Sequence, residues 1–130
     1  MSTIHKFEDI QAWQEGRKLL GQIYEVVELK PFSTDFELKN QIKRASISIL
    51  ANIAEGFGRG GNKEFLYFLS IAGGSAREVQ SLLYVALDQE YLNKDTFKEL
   101  YDKSELVANK IGAFSKYLRS TPIKGIRYKA

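Results

Sequence analysis

Glu55 and Glu78 are the carboxylates of this 130-residue chain that fall in a structured polar setting. Paired carboxylates do acid–base work when their surroundings split their pKa values. No nucleophile, histidine or further metal ligand accompanies them. The single histidine, His5, stands near the N-terminus and reads as an exposed residue rather than a ligand or a base. The chain has no cysteine, which removes cysteine nucleophiles and the usual cysteine/histidine zinc sites. The Glu-x-x-His motif of di-iron bundles is missing too. The run Gly56-Phe57-Gly58-Arg59-Gly60-Gly61 invites comparison with a phosphate cradle. A dinucleotide fingerprint needs a strand before it and a helix N-terminus immediately after, whereas here a helix comes first and the Walker lysine–serine/threonine pair is absent. Glycines that tolerate left-handed geometry at a helix end explain the run, and Arg59 is left able to touch a phosphate from its rim. The expectation is a non-enzyme with no cofactor and no metal.

Charge gives a second lead. Residues 1–91 carry 10 basic and 12 acidic side chains, residues 92–130 carry 9 and 4, and no acid follows Glu105. Such asymmetry suggests an anionic partner, nucleic acid first. The competing reading is a solvated helix end whose basic residues complement its dipole, followed by a soluble tail. The residues to carry phosphate contacts are Lys110, Lys116, Arg119, Lys124, Arg127 and Lys129, with Lys43 and Arg59 as a second group. The first ten residues lack the apolar stretch of a signal peptide. No apolar run approaches the ~18 residues of a membrane span; even the stretch 47–54 contains Ser48 and Asn52. Cytoplasmic, without membrane association, is the default.

The elements that position these residues are helices. Pro31, the glycine cluster at 56–61 and Asn93 cut the chain into four segments, expected at about 8–30, 35–57, 63–89 and 94–120, with a basic tail at 121–130 expected to be mobile unless bound. The first has Trp13, Gly16, Leu20, Ile23, Tyr24 and Val27 at three/four spacing. Thr34 and Glu37 have capping-box spacing, and Asn62 and Asn93 can cap the last two helices. Residues 45–49 alternate like a strand, but lie within a longer helical pattern. Short connections between long helices make neighbours antiparallel, so the fold class is all-α, an up-down-up-down four-helix bundle.

The second helix carries more than one face. Leu38, Ile42, Ala45, Ile49 and Ile53 share the stripe expected to face the core, while Ile47, Leu50, Ala51 and Ala54 fall roughly opposite. The third helix has a similar second sector in Tyr67, Ile71, Leu82 and Val85. Either the core is wide, or the chain associates with itself through these helices. Between the faces runs a polar stripe of Gln41, Arg44, Ser48, Asn52, Glu55 and Arg59. Serine and asparagine are poor mid-helix residues, yet their small size admits a close neighbour. Ser75 and Glu78 can complete a network there, with Arg44–Glu78 as an ion pair that fixes register. The competing reading of the stripe is an ordinary solvated face.

These same residues carry a family resemblance over nearly the whole chain. Phe7, Trp13-Gln14, then Leu38-x-x-Gln41-Ile42-x-Arg44-Ala45-x-x-Ser48-Ile49-x-Ala51-Asn52-Ile53-Ala54-Glu55-Gly56 with Arg59, Glu64-Phe65-x-x-Phe68-Leu69 and Ile71-Ala72-x-Gly74-Ser75-Ala76-x-Glu78 resemble the four-helix bundle proteins linked to intervening sequences of bacterial 23S rRNA. Val79 and Gln80 depart from the leucine and glutamate of that pattern. The resemblance implies an antiparallel, left-handed four-helix bundle, a ring-like homopentamer and no known enzymatic activity. Relatives resemble accessory proteins of diversity-generating retroelements, basic pentameric barrels that bind nucleic acid and a reverse transcriptase. It therefore implies RNA or other nucleic acid as the leading partner, with a protein partner as the alternative. Gln41, Arg44, Asn52, Glu55, Gly56, Ser75 and Glu78 match motif positions and read as structural or interface residues.

Overall fold

The structure, a computed structural model, describes residues 3–121 and 128–129. Four long helices carry the fold: α1 (Gln11–Val27), α2 (Phe36–Gly58), α3 (Asn62–Asp88) and α4 (Lys94–Ser120). Cross-helix contacts descend in number on one helix as they climb on its neighbour. Gln11 meets Lys110, Glu15 meets Lys103 and Gln22 meets Glu99 across α1 and α4; Ser48 meets Ser75 across α2 and α3. A two-residue strand β1 (Thr3–Ile4) pairs antiparallel with β2 (Tyr128–Lys129). Of the residues expected in a mobile tail, 122–127 and 130 lie outside the described residues. No helix among the described residues is long and apolar enough to cross a membrane.

The core follows the 3.6-residue periodicity. Leu38, Ile42, Ala45, Ile49 and Ile53 of α2 are buried, as are Phe65, Leu69, Ala72, Ala76, Val79, Leu83 and Ala86 of α3. Leu100, Val107, Ile111 and Leu118 complete it from α4. The strand-like stretch 45–49 is helical. In α1 the buried stripe is Ala12, Gly16, Leu19, Ile23 and Val27, so the expected face is rotated: Trp13 and Leu20 are half-buried and Tyr24 is exposed. Leu82 also departs from expectation, being buried rather than part of an outward sector.

Helix ends explain the remaining departures. A 3-10 turn at Phe7–Asp9 precedes α1, because the Asp9 carboxylate accepts the backbone N–H groups of His5 and Lys6. A second turn, Phe32–Thr34, follows the cis Lys30–Pro31 peptide and delays α2. The cap of α2 is therefore Asp35, which accepts the Leu38 N–H at 3.0 Å, while Thr34 donates its hydroxyl to the Pro31 carbonyl. The N-cap of α3 is Gly61; Asn62 instead donates its side-chain amide to the Leu118 carbonyl of α4. Asn93 caps α4 as expected, accepting the Thr96 N–H at 2.8 Å. Gly60, at φ 85°, supplies the left-handed turn after α2. Glu90 takes φ 61° after α3, where the Tyr91 N–H reaches the Ala86 carbonyl and the Glu90 N–H reaches Leu87, the Schellman arrangement.

Candidate functional site

The polar stripe of α2 meets α3 through a compact network. The Ser48 and Ser75 hydroxyls lie 2.8 Å apart, and Asn52 donates its amide to the Ser48 carbonyl at 2.8 Å and hydroxyl at 2.9 Å. Small side chains let the helices approach, and Gly56 marks the tightest point. A Cβ there would stand 2.8 Å from both the Phe65 and the Phe68 side chains. Gln41 is half-buried on the same stripe. Arg44 and Glu78 do not form the expected ion pair: both are exposed, and no ion pair joins them among the described residues. Outward of this seam stand Ile47, Tyr67 and Val85, 44%, 62% and 41% exposed, with Ala51 exposed and Ile71 half-buried beside them.

Glu55 and Arg59 belong to the end of that seam. The Arg59 guanidinium lies 3.3 Å from the Glu55 carboxylate, 3.9 Å from that of Glu64, and 5.1 Å from the centre of the Phe68 ring. Its charge is already matched, so its reach towards an outside phosphate competes with two carboxylates. Glu55 is thereby tied to Arg59, and Glu78 stands apart from it as an exposed side chain; the two do not form an acid–base pair. His5 is exposed and uses its backbone N–H on Asp9. Among the described residues there is no group of three or more metal-ligating side chains.

The expected basic residues do not converge on one patch. Lys43 rests over the Tyr24 ring of α1, 4.5 Å from its centre, and Lys110 donates to the Gln11 side chain at 2.9 Å. Both therefore face α1. Lys116 is exposed. Arg119 lines a groove on the opposite flank of α4, between α4 and α3. Lys124 and Arg127 lie outside the described residues, and Lys129 is described only through its backbone pairing with Thr3.

Arg77, which the charge pattern does not single out, lines the same groove as Arg119. Its guanidinium holds the Glu105 carboxylate of α4 at 2.8 and 3.4 Å, and Gln80, almost fully buried, bonds to both partners. Hydrogen bonds from Arg77 and then Gln80 hold the Glu105 carboxyl below its usual range. A trace of this was legible, since Gln80 is a position where the chain departs from the pattern it resembles. On the α1–α4 flank, Lys103 lies 3.1 Å from the Glu15 carboxylate and lowers its pKa, with Lys18 adding a weaker contact.

A family model described as 23S rRNA-intervening sequence protein matches residues 8–113, which contain all of the seam and most of the groove. The chain belongs to this family. A solved structure shares the fold of this intervening-sequence family protein: a protein of unknown function from the S23 ribosomal protein family of Bacteroides thetaiotaomicron VPI-5482. The two are 22% identical, with a TM-score of 0.75, over 81% of this chain and 95% of that one. No curated protein matches. The family is not a known enzyme family.

Proposed function

We propose that this protein is a non-catalytic, self-assembling bundle that binds RNA or other nucleic acid through phosphate contacts. In this reading the bundle is left-handed, five copies close a ring, and the protein works in the cytoplasm. The observation that carries the proposal is the outward sector of α2 and α3. Ile47, Tyr67 and Val85 are large, apolar and exposed on one side of a seam that is already satisfied internally by Ser48, Asn52 and Ser75. Contiguous apolar patches mark interaction sites, and this reading takes the sector to be one. Assembly would then repeat the basic end of α4 around the ring, and repetition raises both field and avidity.

Light scattering on the purified chain tests assembly, with five times the mass of one chain expected and a clean monomer refuting it. Titration of a structured RNA tests the partner. Affinity should fall steeply between 50 and 200 mM salt, because bound cations leave the phosphates. Absence of binding at low salt, or binding indifferent to salt, defeats the nucleic-acid part.

One observation favours a second reading. Arg44 and Glu78 stand exposed beside the apolar sector without neutralising each other, a polar rim suited to a protein partner. On this reading the protein is an interaction module and the basic residues are incidental. Reversing the charges of Lys110, Lys116 and Arg119 separates the two, since capture of a protein partner survives it and RNA binding does not.

A further inference from the structure

We infer that the α3–α4 groove is a seat for one backbone phosphate, held by Arg119 and Ser115. This rests on the nucleic-acid reading above and names its contact point. The groove is a shallow, open one of about 310 Å³, at the small end for a ligand site. Its floor and walls include Gly73, Gly112 and Ser70, so backbone and small side chains leave the space open. A Cβ added at Gly112 would meet nothing within 4 Å.

A groove of small residues alone would be packing. Ser115 makes it more. Among the described residues, the other buried serines all have hydrogen-bond partners: Ser46 donates to the Ile42 carbonyl, Ser104 to Tyr101, and Ser75 shares its bond with Ser48. Ser115 is only 9% exposed, lines the groove, and has no hydrogen bond of its own. Its oxygen is not sealed from solvent, so the hydroxyl opens into the groove and its donor is available to a ligand oxygen. Arg119 stands one helical turn further along α4, and side chains four apart on a helix are neighbours. Its guanidinium has no ion-pair partner among the described residues. Guanidinium and hydroxyl together present N–H and O–H donors to a tetrahedral anion.

The groove is polarised along its length. At the far end Arg77 is matched by Glu105, so the net positive charge lies at the Arg119 end. The negative dipole end of α4 would weaken an anion site there, but the N-terminus of α3 lies beside it, joined by the Asn62–Leu118 bond, and offsets it. A protein helix laid in the groove would need an acidic residue for Arg119, whereas a phosphodiester brings its own charge and acceptors.

The test uses the full chain and a fluorescein-labelled oligouridylate of 12 nucleotides, read by anisotropy across a salt series. Arg119→Ala and Gly112→Leu, which fills the groove from open space, should each weaken binding about tenfold and lower the magnitude of the salt slope by about 0.7 per site. Ser115→Ala should weaken it several-fold, and Arg119→Lys should restore part of the loss. Circular dichroism and light scattering establish that each variant is folded and assembled. Wild-type binding that is unchanged in Arg119→Ala and Gly112→Leu overturns the seat and leaves the nucleic-acid reading standing. No wild-type binding at all overturns both. Gly112→Leu that disrupts assembly while oligonucleotide binding persists makes the groove a protein contact, and also overturns the seat.

Discussion

Glu15 is 16% exposed at its side chain, and its carboxylate meets Lys103 at 3.1 Å. The hydrogen bond from Lys103 holds its pKa below the ordinary value, as backbone N–H groups do for Asp9 and Arg77 does for Glu105. Each of these groups binds its proton less readily folded than unfolded. The stability they confer is present above their unfolded pKa, near 4, and is lost as pH falls through the lower folded value. Melting followed by circular dichroism should therefore decline from about pH 4.5 downwards. Glu15→Gln should cost about 1–2 kcal/mol at pH 7 and flatten that acid limb. A neutral-pH loss with an unaltered acid limb would refute the linkage. Gly56 supplies a second residue-scale test. An added methyl there must displace Phe65 and Phe68, and overpacking costs about 1–3 kcal/mol. Better helix propensity returns up to about 1 kcal/mol, so Gly56→Ala should lose stability in urea titrations. Gly21→Ala, which meets nothing within 4 Å, should gain instead.

At the scale of elements, Asp35 ties the start of α2 to the α3–α4 turn. One carboxylate oxygen accepts the Leu38 N–H at 3.0 Å and the other accepts the Tyr91 hydroxyl at 2.9 Å. Asp35→Ala should cost about 1–2 kcal/mol, and Tyr91→Phe should destabilise by less. Because both substitutions remove the same bond, their double mutant should fall short of the sum in denaturant titrations. This cap also marks where reading the sequence stopped. The core stripes of α2 and α3 were legible because each repeats with the helical period over roughly four turns or more. The cap was not, since Thr34 has the right spacing but is consumed by a 3-10 turn that only the folded path reveals. The Ser48–Ser75–Asn52 contact was legible from residue size. The Arg77–Glu105 pair was not, because it depends on the register between α3 and α4, which neither helix encodes alone. For the same reason the basic residues, adjacent in sequence, part company in space. Lys110 turns to α1, while Arg119 turns to α3.

Across the whole molecule, the outward sector of α2 and α3 sets the expected assembly. Ile47→Glu combined with Tyr67→Glu should leave the bundle folded, since neither side chain belongs to the buried core, and should reduce the scattering mass to that of one chain. An unchanged mass would place the contact elsewhere. The two flanks of the bundle also differ in kind. The α2–α3 seam closes on small side chains, whereas α1 meets α4 through Gln11–Lys110, Glu15–Lys103 and Gln22–Glu99. The buried Oε1 of Gln22 there has no partner, and α1 has 17 residues against 23 in α2 and 27 in α3. Exposed polar contacts such as Gln11–Lys110 and Gln22–Glu99, unlike the half-buried Glu15–Lys103 pair, are exchanged for water at little net cost. The molecule should therefore loosen in steps, α1 lifting away before the α2–α3 pair parts. Deuterium labelling would record this as faster backbone amide exchange along α1 than at Ile49, Ile53, Leu69 and Ala72, at temperatures where the helical signal is still complete.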